Sequence, residues 1–516
     1  MTKKDLNDSR LFDLITNLDR REFAELGRWL NSPVHNKSEK VIKLYEAIKT
    51  KHRNGRPVNE LLLLKYIGLI PSVKQKDIEP QHRTELRTVM HKLTSQIDDY
   101  LVWKKIKGDK LFARQQLMEV FLERGMHSHI LPLITKSERE LHAISQRDIT
   151  YCERVFRVEE MRFYLNTILN NLDAKKMKTS VEDITRTLQY YSLSTLLRYY
   201  CATTNVERRL NIRQEYPMRE TILAYLETHT NDGQPSVGVY HRMLKLLLNE
   251  QEEDYSEFID FVFKHLEVFD LGEIRQFLNC AINYCTQMAR QGNEFFIHQR
   301  HLIYEKGLEL ECWSQNRYFS QHEFMRIVQN ALSLNEILWA DNFINQYADL
   351  LKKEIKNIVV SYCKALVYHH KKEYEKAREH LPTQESPDFF YYIYIRILKV
   401  KIHYDSNDWE TMPIRYNLQG KEIGGGYKIL NELENIRQYV NRPSREITQN
   451  IREQYTNFKN ILTRIFERKR KITYDGKSVV PQASLQALQT KLINTSPIIE
   501  RKWLKEKIKE LIQEIS

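Results

Sequence analysis

Apolar residues along this chain return every three or four positions rather than every second one, which is the spacing of helices with one buried face. Leu11, Leu14, Ile15 and Leu18 step along one such face, and Asp19 stands where it can cap a second helix carrying Phe23, Leu26 and Leu30. Asn31-Ser-Pro33 stops that helix, because proline disfavours helical geometry in the residue before it. Ser38 opens a third helix through Val41, Leu44, Tyr45 and Ile48, ahead of a loop at 54–57. Helices follow over 86–103 and 109–124, with Gly125 as a C-cap. Beyond them the pattern predicts helices of about 15 to 20 residues, with polar breaks at 171–179, 231–236, 291–293 and 382–387 that fold each helix back on its predecessor.

A repeat emerges between 322 and 410. Ala365, Tyr368, Tyr374, Ala377 and Leu381 fall at the spacing of the alternating small and large positions of a tetratricopeptide unit, in which small residues let paired helices approach and aromatics fill the seam. Ala340 precedes Ala377 by 37 residues, with Ile337, Ile344 and Tyr347 around it, and Trp409 follows Tyr374 by 35. Near 411 the pattern breaks. Met412-Pro413 and Gly424-Gly425-Gly426 bracket an irregular stretch, a helix resumes over 427–440, and a regular one starts near Ser444 through Ile447, Ile451, Tyr455, Phe458, Leu462 and Ile465. The predicted fold is all-α: an N-terminal helical region (1–150), a tetratricopeptide-like helical-hairpin solenoid (151–410), an irregular insertion (411–426), and C-terminal helices with a basic end and a capping helix (427–516).

Composition narrows this picture. Fifteen Gly and 13 Pro in 516 residues are too few turn-formers for an all-β chain. With 41% hydrophobic and 29% charged residues, the balance suits an extended array with much surface per residue. The opening residues lack the apolar core of an export signal, and no apolar run is long enough to span a bilayer. The six cysteines at 152, 201, 280, 285, 312 and 363 lack metal or redox spacing, so reduced, buried thiols in the cytoplasm are expected. The net charge of +12 is concentrated: 51–120 holds 14 Lys/Arg against 8 Asp/Glu, and 461–516 holds 12 against 6. The rest is neutral.

Several segments resemble a family of uncharacterised bacterial helical-repeat proteins of about this length. They are Leu30-Asn-Ser-Pro-Val-His-Asn36, Asn283-Tyr-Cys285 with Tyr304-Glu-Lys-Gly307, and Trp339-Ala340 with Phe343-Ile344. Glu373-Tyr-Glu-Lys-Ala377, Tyr439-Val-Asn-Arg442, Asn457-Phe458 and Lys502-Trp-Leu-Lys-Glu-Lys-Ile508 carry it to the end of the chain. Only 411–426 departs, being longer and richer in glycine. The resemblance implies a tetratricopeptide-like solenoid and no particular activity.

Candidate chemistry is sparse. Glu294, His298, His301 and Glu305 share a helical face, but no second Glu-x-x-His stretch completes a metal site, and a solvated face is the simpler meaning. Gly424-Gly425-Gly426 lacks the Gly-Lys-Ser/Thr of a phosphate loop. Counting from Ala365, Tyr362, Leu366, His369 and His370 would point into a partner groove, although simply capping the helix and meeting water is the commoner meaning of such residues. Arg468, Lys469, Arg470 and Lys471 follow a long amphipathic helix and could hold phosphates with Lys104, Lys105, Lys107 and Lys110, although a solvated helix end is the commoner meaning of such a run. Tyr190-Tyr191 and Arg198-Tyr199-Tyr200 could stack bases but more simply pack between helices. Trp503, Leu504 and Ile508 against four lysines could lie on a membrane surface, or close the array's apolar end. The sequence points to no catalytic, cofactor or metal residue. It reads as a non-enzymatic scaffold for a protein partner; the alternative is a nucleic-acid or ribosome-associated binder using its basic ends.

Overall fold

The computed structural model describes residues 9–53, 59–71, 79–169, 174–210, 212, 214–229, 234–315, 318–382, 389–409, 415–416, 422–424, 427–442, 447, 449–476 and 479–515. The predicted loop at 54–57 and the predicted helix start at Ser444 lie outside them. The described residues are all-α apart from two two-stranded hairpins, and they form two compact units, Met1–Leu248 with Glu267–Phe269, and Asn249–Leu266 with Asp270–Ser516.

The first unit holds α1 (Arg10–Asn17), α2 (Arg20–Leu30), α3 (Glu39–Arg53), α4 (Glu60–Tyr66), α5 (Pro80–Gly108), α6 (Lys110–Glu123), α7 (Ile130–Ala143), α8 (Ile149–Ile168), α9 (Ala174–Leu210), α10 (Pro217–Thr228) and α11 (Pro235–Asn249). Asp19 caps α2 as the sequence suggested: its carboxylate accepts from the Arg21 and Glu22 backbone N–H groups at 2.7 and 2.8 Å, and Glu22 accepts from the Asp19 N–H at 2.9 Å. The turn after α2 is held by buried Asn36, whose Nδ2 donates to the Leu30 carbonyl at 3.0 Å while its Oδ1 accepts from the Ser38 N–H at 3.0 Å. Asp109 caps α6, and Gly125 ends it at φ +69°, a left-handed conformation that glycine adopts without strain.

The second unit holds α12 (Glu252–Lys264), α13 (Leu271–Gln291), α14 (Phe295–Glu309), β1 (Ser314–Gln315), β2 (Tyr318–Phe319), α15 (Gln321–Ser333), α16 (Ile337–Tyr347), α17 (Lys353–His370), α18 (Tyr374–Glu379), α19 (Phe389–Asp405), β3 (Arg415–Tyr416), β4 (Glu422–Gly424), α20 (Lys428–Val440), α21 (Gln449–Asp475), α22 (Gln482–Asn494) and α23 (Arg501–Ile515). From α13 onward each helix packs on the next, and α15, α17 and α19 also pack in series. Ala340, Ala365 and Ala377 are fully buried. Gly307 has a plain steric reason: a Cβ there would stand 2.2 Å from the Trp313 ring, whose Nε1 donates to the Tyr304 carbonyl at 3.0 Å.

Four expectations need correction. Residues 174–179 are the first turns of α9 rather than a break, and Pro235 and Ser236 already belong to α11, where proline serves as the first helical residue. Helix length is uneven, from 37 residues in α9 to 6 in α18. In 411–426, β3 and β4 pair antiparallel, Arg415 against Gly424, so part of that stretch is a hairpin.

Candidate functional site

A cluster of ionisable groups with largely covered side chains joins α17, α19 and α23. In α17 the apolar positions Val359, Tyr362, Cys363 and Leu366 face inward, and helical spacing brings His369 to the same side. Asp405 is the last residue of α19, and Trp503 and Lys507 lie one turn apart in α23. His369 Nε2 sits 2.9 Å from Asp405 Oδ2, Trp503 Nε1 donates to that oxygen at 3.2 Å, and Lys507 Nζ lies 2.8 Å from Oδ1. Burial works against the Asp405 charge, but the His369 bond and the Lys507 ammonium outweigh it and hold the carboxyl at about 2. Burial likewise pushes the His369 imidazole below the ordinary histidine range, although Asp405 pulls the other way. A neutral imidazole beside a carboxylate must carry its proton on Nε2 and donate it. Its Nδ1 is left buried with no hydrogen-bond partner, so no hydroxyl or thiol stands ready as a nucleophile. The geometry clamps the C-terminal helix onto two earlier ones.

Ionic clusters continue from there. Lys401 pairs with Glu500 at 2.8 Å and lies over the Trp503 ring at 5.6 Å. Asp408 meets Lys428 at 2.6 Å, Arg378 at 3.3 Å and His403 at 3.4 Å, and buried Glu432 takes both Arg396 and Lys399. Many of these links join residues about one helix pair apart. His369–Asp405 and Arg396–Glu432 are each separated by 36 positions, Arg275 and the Cys312 carbonyl by 37, Gln287 and Glu250 by 37, and Gln329 and Tyr362 by 33.

The sequence-selected residues fare unevenly. Tyr362, Leu366 and His369 are buried, and only His370 is exposed, so the four do not form an open groove. The run Arg468–Lys471 lies inside α21 rather than after it, and four successive helical residues fan around the axis instead of sharing a face. Arg468 donates to Ser484 Oγ at 3.0 Å, Lys469 lies over the Tyr404 and Trp409 rings at 4.4 and 5.2 Å, and Arg470 donates to the Tyr427 hydroxyl at 3.1 Å. Lys471 is exposed. Burial lowers the Lys469 ammonium below the usual lysine range.

Lys104, Lys105 and Lys110 do come together, on an open cleft of about 750 Å³ between α5 and α6. Carboxylates temper it. Lys104 pairs with Glu22 at 3.1 Å and Glu25 at 3.5 Å, Asp109 pairs with Arg154 at 2.5 Å, and Lys107 lies over the Trp103 ring at 4.5 Å. Lys105 and Lys110 are exposed.

Glu294, His298, His301 and Glu305 do not converge on a metal, since no three of them bring ligand atoms within 4.8 Å of one another. His301 instead packs edge-on against Trp339 at 4.7 Å, with Glu305 at 3.8 Å. Gly424 ends β4, while Gly425 and Gly426 lie outside the described residues. Tyr191 stacks on Phe156 at 6.2 Å and Tyr200 is buried, while Tyr199 is exposed beside Arg198. Trp503, Leu504, Ile508 and Leu511 are buried in the second unit's core, which covers the apolar face of α23. No described helix is long and apolar enough to cross a membrane. The sequence reading missed Asp405, Glu432 and Asp408, and set Lys507 with the three other lysines of the terminal helix rather than against a buried carboxylate.

Compared with known protein families, with characterised proteins and with solved structures, the chain finds no match.

Proposed function

We propose that the chain is a tetratricopeptide-like helical-repeat scaffold that binds a protein partner and performs no chemistry of its own. The observation that carries this reading is the recurrence of side-chain links at 33 to 37 residues, the period of one helix pair, across the second unit. Such links are what a stack of like units needs at each junction, and stacked units present long surfaces suited to proteins. The series also turns Phe295 and Leu302 of α14 outward, while Phe296, Ile297 and Ile303 of the same helix fill the core.

The test is affinity purification from native cells with and without nuclease, at low and moderate salt. A protein that stays bound at moderate salt after nuclease, and is lost with Phe295→Ser/Leu302→Ser, is the expected result. Binding that collapses between low and moderate salt, is nuclease-sensitive, and weakens with Lys105→Glu/Lys110→Glu would instead favour a nucleic-acid binder acting through the α5–α6 cleft. Turnover of a substrate by the purified chain would overturn both.

A further inference from the structure

Phe296, Arg300, Ile303 and Gly307 fall on one line of α14, and all but Arg300 are buried. An arginine in such a line brings a charge that no loss of a proton relieves, and covered charges of this kind are ordinarily paired with a carboxylate. Here the guanidinium is held by neutral groups instead. Its Nε donates to Asn330 Oδ1 of α15 at 2.5 Å, and its Nη1 donates to Thr286 Oγ1 of α13 at 3.0 Å. Thr286 is itself fixed, since its hydroxyl donates to the Ile282 carbonyl at 2.7 Å. Among the described residues no carboxylate pairs with Arg300; Glu323 of α15 takes Arg326, at 3.0 Å.

Donors are left over around this charge. A guanidinium carries five N–H groups, and with Nε and Nη1 engaged, Nη2 keeps both of its protons. Asn330 is 1% exposed, and its Nδ2 is buried without an acceptor, on the same amide whose oxygen holds Arg300. The surrounding field is positive as well. Burial first, and then the Arg290 and Arg326 cations, hold the Arg300 guanidinium below the usual arginine range, against the pull of Tyr304 and Cys285. Arg300 is still partly open to solvent, and Arg290 and Arg326 are exposed, so the group is reachable from outside. A guanidinium fixed in orientation by neutral neighbours, with unused donors and no counter-charge, is built like a receptor for a planar or tetrahedral oxyanion.

We infer that Arg300, oriented by Asn330 and Thr286 and flanked by Arg290 and Arg326, is a binding site for a compact oxyanion, a carboxylate or phosphate group. Such a group arrives either as a free anion or on a side chain of a protein partner. The site does not rest on the partner reading, because a free anion fills it equally well.

Isothermal titration calorimetry of the full chain with inorganic phosphate, and separately with acetate, tests it at fixed ionic strength. The expected result is saturable binding of at least one of the two anions. Arg300→Gln, which removes the charge but keeps a polar side chain, should weaken that binding by roughly tenfold or more. Arg290→Gln, at an exposed position, should weaken it by about twofold to fivefold. Unchanged circular dichroism verifies that the variants fold. No saturable binding of either anion, or an affinity indifferent to Arg300→Gln, overturns the proposal. Should Arg300→Gln not fold, Arg290→Gln decides alone, and an affinity it leaves unchanged overturns the proposal equally. The source of the group is read from the affinity purification: a captured protein that phosphate displaces and Arg290→Gln weakens carries the anion itself, whereas capture indifferent to both, alongside calorimetric binding, assigns the site to a free anion.

Discussion

The two units bury charged side chains to different degrees, the second more than the first, where Arg114 is also buried against Glu140 at 2.7 Å. In the first, many ion pairs sit at the surface, as with Arg10–Asp98 at 2.9 Å, where the two side chains are 68% and 39% exposed. In the second, carboxylates such as Asp405 and Glu432 are buried and bridged to cations on neighbouring helices. Exposed pairs are screened and contribute little, whereas a buried ion whose partner is removed is left uncompensated in a medium that solvates it poorly. The comparison implies that removing one partner of a buried ion in the second unit costs more than removing one partner of an exposed pair in the first, although both units keep large apolar cores.

Asp405→Ala should break that contrast most severely. It leaves His369 Nε2 without its acceptor and Lys507 with only Glu510, at 2.8 Å, and a loss of about 3 kcal/mol in the second unit's unfolding free energy is expected by denaturant titration. Next comes Gly307→Ala, whose methyl must displace the Trp313 ring; overpacking of this kind costs about 1 to 3 kcal/mol. Loss of Trp313 burial, read by fluorescence, would accompany it.

Acid should act on the second unit in a smaller, graded way. His369 and His403 are held below the ordinary histidine range, first by burial. The unfolded chain therefore binds more protons than the folded one as the pH drops below about 6.5, and stability falls there. Asp405, held at about 2, stabilises the fold above the ordinary aspartate range, and that contribution is lost as the pH descends toward about 2. Thermal melts across this range should show the transition of the second unit moving down; a transition that rises on acidification contradicts the assignment. Smallest of all, Arg10→Ala in the first unit should change stability by about 0 to 1 kcal/mol.

What could be read from the sequence followed the range of the interactions concerned. Asp19, Asn31-Ser-Pro33 and Gly125 act on backbone within a turn of themselves, and each does what its residue type implies. Residues 174–179 misled because Asn171 resembles a break, whereas the Ala-Lys-Lys-Met-Lys that follows consists of good helix formers. His369 stood out as the end of a helix, but its meaning lay 36 residues away in Asp405 and further still in Lys507, and no local periodicity encodes such a pairing. Lys469 looked like a solvated cation because a run of cations usually is one. Its ammonium instead lies over the Tyr404 and Trp409 rings, whose π faces attract a cation.

The central claim is that the Asp405 cluster ties α23 to α17 and α19 as one cooperative body. Native-state hydrogen exchange measures this directly. Amides buried in α17, α19 and α23 should share one opening free energy in the native chain, and Asp405→Asn should speed exchange in α23 first and most. If α23 already exchanges far faster than the other two, and the substitution leaves its rate unchanged, the cluster does not hold these helices together.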